Sequence, residues 1–198
     1  MNLIDAICKR RTYYALSDET TIPSAKIQEL IEEALRHTPS AFNMQSARIV
    51  LLTGRSHKRL WDFTLTELKK IVPHKQFSAT EEKINSFKTA YGTVLFFEDE
   101  HVVGEMKKQY PLYAENFDVW ASQANGMLQS NVWMLLEDAG LGASLQHYNP
   151  LIDTSVQQEW NLSHHWRLVA QMPFGVPVEE PDEKTFVPIK ERMKVYAG

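Results

Sequence analysis

Cysteine is nearly absent: one residue, Cys8, in a chain of 198. A lone thiol leaves no internal disulfide and no cysteine-built metal site, and it fits a reducing, cytoplasmic setting. Long apolar runs are also missing. Stretches such as Ile49–Leu52 and Val94–Phe97 are four residues long, far short of the roughly 20 needed to cross a bilayer, so no membrane span is expected. The N-terminus places Asp5 and Lys9-Arg10-Arg11 around a short apolar patch, unlike a secretory signal. An excess of positive charge is lacking, with 21 Lys+Arg against 25 Asp+Glu for a net of −4. That balance excludes a protein built around a nucleic acid backbone. Gly and Pro are sparse at 8 and 9 residues, against a disordered or fibrous chain. No GxGxxG or GxxxxGK[ST] loop occurs, so a nucleotide-like cofactor must bind by another route. The seven histidines come without HExxH or CxxC, and adjacent His164 and His165 point different ways on a strand, so a metal site is rejected.

What is present is one globular pattern of helices and short strands. Ile27, Leu30, Ile31, Ala34 and Leu35 recur at helical spacing between Pro23 and Pro39 and predict an amphipathic helix. Ala47–Thr53, rich in apolar and β-branched residues and ending at Gly54, predicts a mostly buried strand. A helix through Trp61, Leu65, Leu68 and Val72, a more polar helix over Ser78–Ala90 and a buried strand at Thr93–Phe97 follow. The longest helix is expected over Asp118–Ala139, apolar nearly all round, with Gly140 at its C-terminal cap. Such a helix belongs in the middle of the fold or of a dimer. A strand at Leu141–Leu145, a helix near Ser155–Trp160 and a strand through Trp166–Met172 complete the pattern. The last stretch, 176–198, interleaves Phe186, Val187, Ile189, Met193, Val195 and Tyr196 with charges. It needs a partner surface, either its own domain or a second subunit.

Two features carry chemistry. Lys9-Arg10-Arg11, followed by Thr12, Tyr13 and Tyr14, offers planar donor forks and hydroxyls suited to phosphate, and also suits a solvated helix end. Lys190, Arg192 and Lys194 form a second cationic group near the other chain end. The polar loop from Thr38 to Ser46 carries amide side chains that both donate and accept, as a heterocycle with alternating C=O and N–H groups requires, although an ordinary turn uses the same residues. Cys8 is expected to be a small buried residue, with no His partner to activate it.

Taken in order, KRRTYY (9–14), PSAFNMQSAR (39–48), WASQANGMLQSNVWMLLEDAGLGASLQHYNP (120–150), MPFG (172–175) and KTFVPIKERMKVY (184–196) resemble the flavin-dependent nitroreductases, most closely their small fungal and bacterial branch. The resemblance implies an α+β, nitroreductase-like fold with a central mixed β-sheet flanked by helices, and an intertwined homodimer holding FMN at its interface. It implies one flavin-binding domain over 1–198, with 176–198 reaching the partner subunit. Arg10, Arg11 and Thr12 match phosphate and ribityl contacts, with Tyr14 where other branches often carry a basic residue, and Lys190 and Arg192 approach from the far end. Pro39, Ser40, Asn43 and Gln45 match the loop along the flavin. Ser144, Leu145, Gln146 and His147 match the stretch passing N5, where other nitroreductases often have Glu-Gly. Phe42, Tyr148 and Trp120 are candidates to line a slot for flat acceptors. The implied activity is NAD(P)H-dependent reduction of nitroaromatic or quinone-type acceptors by a ping-pong cycle, with no catalytic side chain named because the flavin carries the chemistry. The alternatives are a flavin-binding redox sensor with little turnover and a flavin-free interaction module.

Overall fold

Gly92 to Asp99 is buried along its whole length, and the rest of the chain is layered around it. In the computed structural model, which describes residues 2–198, this strand is β3, third in a sheet that begins with β1 (Leu16–Ser17) and β2 (Ala47–Thr53) and ends with β4 (Gly142–Ala143) and β5 (Trp166–Pro177). The strand order is β1-β5-β3-β2, with β4 also on β5, and every ladder is antiparallel. The parallel component of the mixed sheet is a single bridge between Thr12 and Ala143.

Successive side chains of a strand point to opposite faces, so an uninterrupted apolar run serves two cores. Val94 and Phe96 face α2 (Ser24–His37) and α6 (Phe117–Asp138), packing with Ile27, Ile31, Leu128, Val132 and Leu136. Leu95 and Phe97 face α3 (Gly54–Ile71), α4 (Phe77–Lys88) and α7 (Asp153–Glu159), packing with Leu60, Trp61, Ile84, Phe87 and Val156. Two short helices flank the chain ends, α1 (Leu3–Lys9) and α8 (Ile189–Arg192).

Several elements differ from the sequence expectation. The helix expected from Trp61 starts at Gly54, whose φ of 53° makes the abrupt turn out of β2. The strand expected to be mostly buried, β2, lies at the sheet edge and is half-buried except at Leu52. The strand expected over Leu141–Leu145 shortens to Gly142–Ala143, whereas the last strand extends to Pro177 because it gathers β3, β4 and β1 in turn. A helix, α5 (Glu100–Gln109), and a 3-10 segment, Pro111–Asn116, fill a region given no element from sequence. Cys8 is exposed, not buried, because Ala6 is the residue that α1 turns inward. The tail stays on the surface, with Phe186, Ile189, Val195 and Tyr196 exposed. No helix among the described residues is long and apolar enough to cross a membrane.

A buried polar network ties α3 to β3. Trp61 Nε1 donates to Thr93 Oγ1 (3.1 Å), His57 Nδ1 lies 2.9 Å from the same oxygen, and His57 Nε2 lies 3.3 Å from the Lys88 carbonyl. One proton arrangement satisfies all three groups: neutral His57 donates from Nε2 and accepts from Thr93, whose oxygen accepts from Trp61. Burial, helped by the charge of Lys58, holds the imidazole down to about 4. A folded value below the unfolded one means stability is fully present above the ordinary His value and is lost as pH falls from there through about 4. Urea denaturation at pH 7 and pH 4 should therefore show wild type losing about 3 kcal/mol more than His57→Gln; equal losses would dismiss His57 as the acid-sensitive group.

Candidate active site

The N-terminal basic segment is placed by backbone pairing. Asn2 caps α1 by accepting from the Asp5 N–H (3.0 Å), and the helix ends at Arg10. The chain then runs beside β4, with Thr12 bridging Ala143 and the Tyr13 N–H donating to the Ala143 carbonyl (3.0 Å). Gly142 permits this approach, because a Cβ there would meet the Tyr13 ring at 2.8 Å and Pro177 at 2.7 Å. Residues 10–14 are thereby brought against the start of the 144–148 stretch, two segments that the sequence separates by more than half the chain.

Arg10 and Arg11 differ in what they hold. The Arg10 guanidinium lies 4.4 Å from the centre of the Trp133 ring and makes no hydrogen bond among the described residues. Arg11 donates to the Asp182 carbonyl of the tail. Both line a cleft of about 480 Å³ with Thr12, Tyr14, Glu179, Glu180 and Lys184. Lys190 and Arg192, on exposed α8, do not line it, so one chain does not bring the two cationic groups together.

The 144–148 stretch is tied to β5 at alternate residues. The N–H groups of Ser144, Gln146 and Tyr148 donate to the Pro173 carbonyl (3.2 Å), the Gln171 carbonyl (2.7 Å) and Gln171 Oε1 (2.7 Å). Those of Leu145 and His147 make no hydrogen bond among the described residues. Ser144 and Gln146 are buried and His147 is exposed.

The loop expected to lie along the flavin is strained and clamped. Phe42, Asn43 and Gln45 take φ values of 54°, 52° and 49°, a left-handed region costly for a bulky residue such as Phe. Ser40 Oγ accepts from the Gln45 N–H (3.0 Å). Arg48 donates to the carbonyls of Gln45 (2.8 Å) and Ala47 (3.0 Å) and pairs with Asp99 (3.0 Å), which also caps α5. The Phe42 ring is held by Tyr110 (4.6 Å between centroids), Phe117 (5.6 Å), Tyr113 (5.8 Å) and Trp120 (6.0 Å). Asn43 and Gln45 are exposed, and Pro39, Ser40 and Gln45 line a separate pocket of about 210 Å³ with Leu35, Ala124 and Leu128.

Of the aromatic residues expected around an acceptor, Phe42 and Trp120 meet. Tyr148 stands apart, edge-on to Trp61 at 5.9 Å, with burial pushing its hydroxyl up to about 12. Sequence reasoning missed Tyr110, Tyr113 and Phe117, which only the path of α5 and the 3-10 segment brings to Phe42; the Tyr-Pro break at 110–111 was the available signal. Among the described residues, no group of three or more His, Cys, Asp or Glu could hold a metal ion.

The profile of the family described as Nitroreductase family matches residues 7–176. The chain belongs to the nitroreductase family. Nitroreductase FRM2 of Saccharomyces cerevisiae (strain ATCC 204508 / S288c) is 34% identical over 188 residues, covering 94% of this chain and 93% of its own. Nitroreductase CinD from Lactococcus lactis superposes with a TM-score of 0.92 at 44% identity in its complex with nicotinic acid, covering 99% of this chain and 100% of that one. Its complex with 4-nitrophenol gives 0.90 at 44% identity with the same coverage. This nitroreductase therefore shares its whole fold with an oxidoreductase that accommodates small aromatic ligands.

Replacing Arg48 with Met leaves the Asp99 carboxylate, 11% exposed, without its charged partner and frees the Gln45 carbonyl. Thermal and urea melts should show a loss of about 2 kcal/mol, with faster hydrogen exchange at the Gln45 N–H. Unchanged exchange there would mean that Arg48 does not hold the loop.

Proposed function

We propose that this nitroreductase is an FMN-dependent enzyme that uses NAD(P)H to reduce nitroaromatic or quinone-type acceptors. The observation that carries the reading is the junction at Thr12 and Ala143, which sets free guanidinium donors beside a stretch with free backbone N–H groups. A phosphate needs the first and an electron-rich ring edge needs the second. The residues present fit a phosphorylated flavin in chemistry and in order along the chain.

Bound FMN supplies the redox step between nicotinamide and acceptor. Arg10, Arg11 and Thr12 grip the phosphate end, with Tyr14 on the cleft wall. Leu145 and His147, whose N–H groups are unengaged, would donate to the ring, while buried Ser144 and Gln146 anchor the stretch to β5. Asn43 and Gln45 offer exposed amides, and Pro39 and Ser40 shape the loop that carries them. Phe42 and Trp120, joined by Tyr110 and Tyr113, form a wall for flat acceptors, whereas Tyr148 packs away from it against Trp61. Nicotinic acid, 4-nitrophenol and chloramphenicol, the ligands of the CinD complexes, have the flat rings that such a wall favours.

The loop and the basic segment line different pockets of one chain, which supports a homodimer in which the loop of one copy meets the cleft of the other. Exposed Leu3, Ile4, Ile7, Val119 and Met127 give that dimer an apolar face. Of the tail 176–198, Val176 and Pro177 close β5, and the stretch beyond them, with its apolar residues exposed, then reaches the partner, carrying Lys190 and Arg192 toward the phosphate end. The single thiol suits a cytoplasmic setting.

Purified protein is expected to be yellow, to bleach anaerobically with NADH or NADPH, and to regain colour with a nitroaromatic or quinone. Arg10→Ala combined with Arg11→Ala should weaken FMN binding at least about tenfold. A colourless protein that takes up no FMN would overturn the reading, and a yellow one that never bleaches would mark a redox sensor.

A further inference from the structure

Arginine has two ways of being held. An ion pair at its edge uses the N–H donors, whereas stacking on an aromatic face leaves all of them in the plane and free. Arg11 is held at its edge, by the Asp182 carbonyl. The Arg10 guanidinium carbon lies over the Trp133 ring, 4.4 Å from its centre, and Arg10 donates no side-chain hydrogen bond among the described residues.

The stack is built from two elements that meet at one place. Arg10 closes α1, and Trp133 lies in α6, packed against the apolar core that contains Val132 and Leu136. One turn further along α6, Glu137 turns a buried oxygen to the same side; its Oε2 accepts no hydrogen bond. Burial raises the Glu137 carboxyl, and the charges of Arg10 and Lys9 act against that rise. No ion pair forms between Arg10 and Glu137, so the carboxylate attracts the guanidinium without occupying its donors. A long, flexible side chain is thus confined without being consumed.

We propose that Trp133 is a positioning residue for phosphate binding, holding the Arg10 guanidinium by its face so that its N–H donors stay free for the FMN phosphate. The inference rests on the assignment of Arg10 to the phosphate made above. It goes beyond it by giving a core residue of α6 a role in telling a phosphorylated flavin from an unphosphorylated one. Riboflavin, which lacks the phosphate, should be indifferent to the stack.

The test compares FMN and riboflavin affinities by quenching of flavin fluorescence, in wild type, Trp133→Leu, Trp133→Phe and Arg10→Ala. Trp133→Leu should weaken FMN about three- to thirty-fold, the range expected for loss of a cation–π contact, and leave riboflavin unchanged. Trp133→Phe, which keeps an aromatic face and removes the indole N–H, should recover most of the difference. If FMN and riboflavin weaken together, or neither changes, Trp133 is a packing residue and the inference fails. If Arg10→Ala leaves the ratio of the two affinities unaltered, the phosphate assignment itself falls, and this inference with it. Folding is read separately from the far-ultraviolet circular dichroism and thermal melt of each variant, so a parallel loss of both ligands in a folded variant counts against the inference, and Trp133→Phe carries the test if Trp133→Leu does not fold.

Discussion

Burial of β3 on both faces is the constraint from which the rest of the structure follows. A strand with Val94 and Phe96 on one side and Leu95 and Phe97 on the other must be covered twice. The long helix α6 answers on one side and α3 with α4 on the other. Because α6 lies across the sheet, residues along it reach three parts of the candidate site. Trp120 stands at the aromatic wall near its start, Ala124 and Leu128 line the loop pocket at its middle, and Trp133 meets Arg10 near its end.

Where β2 begins, the apolar logic gives way to a clamp of charges and hydrogen bonds. Arg48 reaches back to the Gln45 carbonyl and across to Asp99, and Asp99 fastens the start of α5. This bracket, together with the rings around Phe42, holds three left-handed residues in a conformation that each would leave if free. The same bracket aligns α5 with the loop, so the residues that stabilise the strained backbone also raise the aromatic wall beside it. Backbone strain and the aromatic wall are two aspects of one local arrangement.

Electrostatics in the basic segment depends on geometry more than on composition. Arg10 and Arg11 are adjacent and chemically identical, yet one stacks and the other donates to the tail. Glu179 and Glu180 share the cleft with them, so the cleft is not simply cationic. The Arg10 guanidinium keeps all its donors free, and Arg11 gives one of its own to the Asp182 carbonyl.

Local pattern sufficed wherever one element's own residues decide the outcome. Helical spacing after Pro23, the apolar run at 93–97 and the span of α6 were legible because each follows from side-chain periodicity along a single segment. The candidate flavin-contacting residues were legible as ordered motifs. Their grouping was not, because it rests on contacts between distant segments: Thr12 with Ala143, Arg48 with Asp99, Arg10 with Trp133. The edge position of β2 and the exposure of Cys8 depend likewise on which neighbours are present. The sequence by itself determined most of the elements and the family; the tertiary structure alone decided how each arginine is held, which aromatics face Phe42, and which backbone N–H groups β5 leaves unpaired. Periodicity is a property of one segment, whereas a contact is a property of two.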